Sequence, residues 1–247
     1  MCLVLLALDR VPTHRLVLAA NRDEFHERPA DPLHWWPDRD GIAGGRDRRA
    51  LGTWLAASMG GRFGAVLNDR SFPVPPAAPS RGEIVPGFLE AADPGAAAAA
   101  LQAGAAAYAG FHFLGGTPGR AWYCARGAAQ PVSLGPGVHS ADNSGLDVAD
   151  PRLRRGRMLF ARALERGVDD DALLEVLADR TQPGEGDGDR RPVFIDDPVF
   201  GTRCSSILLV AADGAVHLRE RRFDRAGGVV GDTALDWHRH AATTERE

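Results

Sequence analysis

Cys2 directly follows Met1, and about twenty residues later the chain presents the polar cluster Asn21-Arg22-Asp23-Glu24. Removal of Met1, which a small second residue permits, would leave Cys2 with a thiol and a free α-amino group on one residue. An α-amine titrates near ~7.7–8 and a thiol near ~8.5, so the amine can take the thiol proton as sulfur attacks an acyl carbon. A carboxylate or guanidinium from a neighbouring strand would hold that amine in place. The bland alternative is a small core cysteine in the apolar run Cys2 to Leu8, followed by an ordinary solvated turn.

The elements that must position these groups are legible in outline. Residues 3–8 and 15–20 are apolar runs joined by Val11-Pro12-Thr13-His14, which predicts an antiparallel hairpin returning Asn21 to Glu24 to the chain start. On a strand, neighbours face opposite sides, so Asn21 and Asp23 share a face and Arg22 takes the other. Segments 42–45, 52–57 and 63–70 are glycine-punctuated strand candidates, none carrying Gly-x-Gly-x-x-Gly between strand and helix. Residues 28–37 read as a loop whose Trp35 and Trp36 cover a core edge. Ser80-Arg81-Gly82-Glu83 resembles a capping box opening a helix to about Ala92. Pro94 starts a second helix, running to Tyr108. Strands are expected at 110–114 and 121–125, a loop with His139, Asp142 and Asn143 at 136–146, and helices from Asp150-Pro151 and over 169–179. A flexible acidic connection follows at 184–189, without the spacing of a calcium loop. A final hairpin pairs 201–210 with 216–221. Strands joined by hairpins outnumber helical crossovers, which predicts mainly antiparallel sheets covered by helices.

The chain, 247 residues and 44% hydrophobic, has room for one full core. A single domain over 1–247 is expected, its tail from about 226 partly irregular. The net charge of −4 gives no electrostatic case for nucleic acid or an anionic membrane surface. Every basic residue is arginine, which removes lysine Schiff-base and Walker-type chemistry and, with abundant Ala, Gly and Pro, points to a GC-rich bacterial coding sequence rather than to an Arg-rich binding face. Three scattered cysteines fit a reducing compartment, and the short first apolar run is neither a secretory signal nor a membrane span; the expected location is cytoplasmic. His26, His34, His112 and His139 lack metal-ligand spacing, and Cys124 and Cys204 read as inert strand residues.

Met1-Cys2, Asn21-Arg22-Asp23-Glu24-Phe25, Gly52-Thr53-Trp54-Leu55, Asn68-Asp69-Arg70, Ser80-Arg81-Gly82 and Gly201-Thr202-Arg203-Cys204-Ser205 together resemble the NRDE family, also called the transport and Golgi organisation 2 family, from residue 1 to about 225. That family is similar to cysteine-type N-terminal nucleophile hydrolases such as the penicillin V acylase and bile-salt hydrolase group. The resemblance implies an α+β fold, a four-layer αββα sandwich with the nucleophile opening a central strand. It also implies site roles: Cys2 as nucleophile, Asp23 as the carboxylate near its amine, Asn68 and Asn143 as oxyanion-stabilising groups, and Arg203 as a guanidinium facing the site. Preorganised amide donors in such sites are worth about 2.7–4 kcal/mol each. Asn21, Arg22 and Arg70 are further binding candidates.

The chain departs from those hydrolases where Ala20 replaces an arginine three positions before the aspartate. Arg22 is then expected to serve structure, for example by pairing with Asp40 or Asp47 outside the site. Leu67 and Asp69 stand where the family tends to have threonine and an aromatic residue, so the pocket mouth differs.

The sequence leaves two functions open, beside a duller reading in which a former active site survives only as scaffold. One is an amidohydrolase cleaving a nonpeptide C–N bond through a Cys2 thioester, requiring no cofactor. The other is a binding protein whose pocket holds haem or a lipid-like or acyl-CoA ligand for transfer, as relatives linked to haem and lipid homeostasis imply. His112, Cys204 and Met158 are the candidate iron ligands, without any haem-attachment signature. Either way the expected partner is a small molecule, and oligomeric state is open.

Overall fold

The computed structural model describes residues 2–183 and 191–239. Alternating apolar residues at the chain start set its plan. In β1 (Leu3–Val11), Leu3, Leu5 and Ala7 pack on one side and Val4, Leu6 and Leu8 on the other. A strand buried on both faces must lie inside a layered structure. β1 pairs with β2 (His14–Phe25) on one side and with β10 (Gly137–Asp142) on the other.

The first sheet runs β11-β10-β1-β2-β12-β13-β14, adding β11 (Gly145–Leu146), β12 (Phe200–Ala211), β13 (Ala215–Phe223) and β14 (Val229–His238). The second runs in chain order: β3 (Ala30–Trp35), β4 (Ile42–Asp47), β5 (Leu55–Ser58), β6 (Phe63–Asn68), β7 (Phe111–Thr117), β8 (Arg120–Ala125) and β9 (Val132–Leu134). All pairings are antiparallel, as hairpin connections require. Helices α1 (Ile84–Glu90) and α2 (Pro94–Ala103) cover the second sheet, and α3 (Pro151–Arg166) and α4 (Asp170–Leu177) cover the first. The result is the expected αββα sandwich, with three apolar layers. Leu6, Leu18, Leu114 and Leu208 fill the space between the sheets, Leu5, Phe160 and Ile207 the space under α3 and α4, and Phe88, Phe111 and Phe113 the space under α1 and α2. Among the described residues no helix is long and apolar enough to cross a membrane.

Several sequence expectations need correction. The loop expected at 136–146 contains β10, which borders β1 and leads into the turn that carries Asn143. The segment expected to be loop at 28–37 contains β3, though Trp36 does cover the core. Within the tail expected to be partly irregular, Val229–His238 forms β14, whose Trp237 meets Trp35 edge-on at 5.0 Å. Strand alternation there is between exposed and half-buried residues, too weak a contrast to announce a strand. Ser80 Oγ does accept from Gly82 N at 3.2 Å, but the turn over Arg81–Glu83 is 3₁₀, and Glu83 reaches Arg39 at 2.7 Å instead of closing a capping box. The acidic stretch 184–189 lies outside the described residues.

One pair of glycines joins two distant motifs. A Cβ on Gly52 would fall 2.5 Å from the Gly82 carbonyl carbon and oxygen, so backbone lies directly on backbone, and Thr53 N donates to Gly82 O at 3.1 Å. Gly52→Ala is expected to force the two segments apart at a cost of about 1–3 kcal/mol. Chemical denaturation should show the midpoint falling at unchanged slope, and an unshifted midpoint would contradict the close approach.

Candidate functional site

A cavity of about 300 Å³ opens between the edges of the two sheets, within the range of small-molecule pockets. Its wall draws from every motif that carried the resemblance: Cys2, Arg22, Gly52, Asn68, Ser80 and Arg203 all line it. These residues are up to about two hundred positions apart in the chain, and hairpin pairing brings them together.

The period of two in β1 and β2 decides which side chains reach the cavity. Cys2 continues the Val4-Leu6-Leu8 face and packs against the inter-sheet core. Leu3 pairs with Asn21, and Leu16, Leu18 and Ala20 share the inter-sheet face, so Arg22 and Glu24 follow them toward the cavity. Asn21 and Asp23 point to the other side of the sheet. Asn21 is fully buried there, its Nδ2 donating to Leu177 O at 2.8 Å and Val193 O at 3.0 Å while Ser205 Oγ donates to its Oδ1 at 2.6 Å. It is therefore a structural clasp between strand and helix layer, not the ligand contact expected of it.

Asp23 stands beside Cys2, but with a different part of itself than expected. Its backbone carbonyl lies 3.9 Å from Cys2 Sγ. Its carboxylate has no exposed surface and is held by Arg152 Nη2 at 2.5 Å and Thr202 Oγ1 at 2.7 Å. The group that holds the Cys2 nitrogen is instead Asn143, whose Oδ1 accepts from Cys2 N at 2.8 Å.

Asn143 is itself fixed from two directions. Its Nδ2 donates to Asn68 O at 2.5 Å, and its backbone carbonyl meets His112 Nε2 at 3.2 Å. Since a carbonyl only accepts, Nε2 carries the proton. Burial pushes the His112 pKa down, so the ring is neutral and its Nδ1 accepts from Tyr123 OH at 2.7 Å. The Tyr123 hydroxyl, desolvated in turn, is pushed up to about 12. The chain Tyr123 to His112 to Asn143 thus orients the amide at Cys2. Asn143→Ala is expected to slow acylation of Cys2 by an electrophilic acyl probe by about 10²-fold, with a smaller effect on thermal stability; an unchanged rate would remove Asn143 from the site's working parts.

Asn68 ends β6 at the cavity wall, and its side-chain amide has no partner among the described residues, which leaves it available to a developing oxyanion. Arg203 sits where the pairing of β2 and β12 slips between Thr202 and Cys204. The bulge returns Thr202 to the Asp23 side while Arg203 lines the cavity, its Nη1 donating to His26 O at 2.6 Å and Phe25 O at 3.2 Å. Arg22 meets Asp47 at 3.6 Å, as one expected pairing had it, but both line the cavity and do not lie outside it. Arg70 lines the mouth and is exposed.

Burial pushes the Cys2 thiol above its ordinary value; the Asp23 charge adds to this and Arg22 opposes it. Cys204, also on the wall, is pushed up strongly by burial and by Glu220, consistent with an inert thiol. The three candidate iron ligands do not converge: His112 has both ring nitrogens engaged, Cys204 is on the cavity wall, and Met158 is exposed on α3. Among the described residues no group of three or more His, Cys, Asp or Glu side chains is placed to hold a metal ion.

Arg152 went unnoticed in the sequence, although one signal was present. An arginine in the first turn of a helix opposes the helix dipole unless a buried anion holds it, and Asp150-Pro151 already marked that turn.

Two stacked seven-stranded sheets between helix layers, with a cysteine at the head of a central strand, define an N-terminal nucleophile hydrolase-like fold. An N-acylethanolamine-hydrolyzing acid amidase ortholog of Caenorhabditis elegans has this fold, with a TM-score of 0.52 over 84% of this chain and 92% of that one at 10% sequence identity. The family model for Transport and Golgi organisation 2 matches residues 1–225. Transport and Golgi organization protein 2 homologs of Bos taurus and Homo sapiens are 32% and 29% identical, each alignment covering 90% of this chain and 92% of the relative. The chain belongs to the transport and Golgi organisation 2 family.

Proposed function

We propose that this protein is a cysteine amidohydrolase that cleaves a nonpeptide C–N bond in a small molecule through a Cys2 thioester, after removal of Met1. The observation that carries this reading is the placement of Cys2, its sulfur at the wall of a ligand-sized cavity and its nitrogen held by Asn143 Oδ1 at 2.8 Å. With a free α-amine at that nitrogen, the amine takes the thiol proton as sulfur bonds to the acyl carbon. The Asn68 amide is the donor offered to the resulting oxyanion. Collapse breaks the C–N bond, and the proton held by the amine passes to the leaving nitrogen. Water then attacks the thioester, giving one proton to the amine, which returns it to the departing thiolate. Asp23 contributes from behind the strand, by fixing the backbone whose carbonyl lies against the sulfur. The neighbour of this fold whose name records amide hydrolysis fits the same chemistry without fixing the substrate.

The test is intact mass before and after treatment with an electrophilic acyl probe. A protein lacking Met1 and gaining one acyl adduct on Cys2 supports the reading; retained Met1 with no adduct sinks it.

The rival reading is a carrier for haem or a lipid-like ligand, with the reaction lost. The raised Cys2 pKa favours it, because a thiol kept neutral by burial is a poor nucleophile. Haem or acyl-CoA binding unaffected by Cys2→Ala, together with failure of acylation, would establish the carrier.

A further inference from the structure

The cavity wall is rich in guanidinium groups, and the carboxylates present do not account for them. Asp47 is held by Arg28 at 2.5 Å, with Arg22 at 3.6 Å, and Glu24 lies 3.8 Å from both. Asp31 meets Arg48 at 3.7 Å, and Asp23 is committed to Arg152. Glu220 accepts from Leu33 N at 3.1 Å, and burial pushes its pKa up. Arg46 is held by Asp38 at 2.5 and 2.7 Å.

Arg70, Arg81, Arg203 and Arg222 remain. All four line the cavity, and none has a carboxylate of the described residues within ion-pair distance. Three of them contact backbone: Arg81 donates to Gly110 O at 2.8 Å, Arg222 to Ala30 O at 2.9 Å, and Arg203 to Phe25 and His26. The buried Nε of Arg203 has no acceptor among the described residues. Their charges also act on one another: desolvation lowers the Arg203 pKa, with Arg22 and Arg222 adding to the effect, and Arg81 is lowered the same way with Arg28 and Arg70 contributing, while Glu24 opposes both shifts and Asp69 opposes that of Arg81 without reversing it. A chain of net charge −4 has acids to spare for neutralising such a cluster, yet among the described residues none pairs with these four.

We propose that Arg70, Arg81, Arg203 and Arg222 form an anion subsite, so that the molecule entering the cavity carries a phosphate or carboxylate group. The guanidiniums of Arg81, Arg203 and Arg222, each anchored through one nitrogen to backbone, keep their remaining N–H donors in a fixed fork, which suits the oxygens of either anion, and Arg70 adds a more mobile positive charge at the mouth. This deepens the hydrolase reading by giving its substrate class, and it rests on that reading only for the word substrate. Anion binding itself needs no reaction at Cys2.

The test uses the Cys2→Ala protein, so that chemistry is silent, and isothermal titration with inorganic pyrophosphate, octanoate and neutral octanol. One of the two anions is expected to bind one to one, more weakly at high salt, and its identity separates a phosphate-bearing from a carboxylate-bearing ligand. Arg203→Gln and Arg222→Gln should each weaken that binding about tenfold or more, and Arg70→Gln, at an exposed position that leaves folding intact, should weaken it as well. Octanol should show none of these dependences. Failure of both anions to bind, or binding equally tight in the Arg70, Arg203 and Arg222 variants, overturns the subsite. Acylation of wild-type Cys2 without anion binding would overturn the subsite alone; anion binding without acylation would overturn the hydrolase alone.

Discussion

Cys2→Ala is expected to remove covalent labelling by an acyl probe completely and to lower any amide-cleaving turnover by about 10⁴-fold or more, with almost no change in folding. The size follows from the role: without sulfur there is no thioester, and the remaining donors at the site act only on whatever water can do directly. The small structural cost follows from position. Cys2 is half-buried at the rim of the inter-sheet core, so removing one sulfur leaves a gap open to the cavity and costs at most about 1 kcal/mol. Serine tests the same point more finely. It preserves the size and a hydroxyl proton, and an α-amine can act as base to a hydroxyl, but an alcohol gives up its proton far less readily than a thiol, so Cys2→Ser should form an adduct at least about 10²-fold more slowly. Mass spectrometry of intact protein together with a thermal melt reads both halves of the prediction. An adduct that persists in Cys2→Ala would place the nucleophile elsewhere and end the reading. A large fall in melting temperature would instead make Cys2 the small core residue that its apolar neighbours first suggested.

How much of this was readable beforehand depends on the range of the interaction. The first hairpin was legible because alternation in β1 and β2 is strong and the turn is local, and the same alternation correctly put Asn21 and Asp23 on one face. Which face that was could not be read, since both sides of the strand are buried and apolar. Only packing reveals that Arg22 faces the cavity and Asp23 the helices. The role given to Asp23 by family likeness therefore lost to strand parity, while the role of holding the Cys2 nitrogen fell to Asn143, in the turn just after a strand that had read as loop. β10 carries Gly137, Ser140 and Asp142 among its six residues, a composition that reads as turn until β1 supplies its partner. Arginine usage misled in a similar way. A chain with no lysine gives every basic position the same letter, so arginines gathered at one cavity looked like coding bias until the sheets brought them together.

Arg152→Met is expected to destabilise the fold by about 3–5 kcal/mol, the largest single effect on stability among these substitutions. The side chain is 1% exposed and its partner carboxylate 0%, and removing the guanidinium leaves the Asp23 carboxylate buried with Thr202 Oγ1 as its remaining side-chain donor among the described residues. An uncompensated buried charge is far more costly than a buried pair is stabilising. The contact also ties layers together: Arg152 belongs to the first turn of α3, Asp23 to β2, and Arg152 Nη2 further donates at 2.8 Å to Val193 O, the same carbonyl that Asn21 Nδ2 uses. Asp23→Leu alone should cost a similar amount, because arginine cannot shed its charge. The two costs should not add. In the double variant Asp23→Leu with Arg152→Met, both charges are gone, Thr202 Oγ1 keeps its bond from Ile195 N at 2.9 Å, and much of the lost stability should return. Urea denaturation of the four proteins measures the coupling directly. Additive losses would mean that the pair does not act as a unit, and a single-variant loss below about 1 kcal/mol would mean that water reaches Asp23 and that the strand carrying Cys2's neighbour is held by something other than this contact.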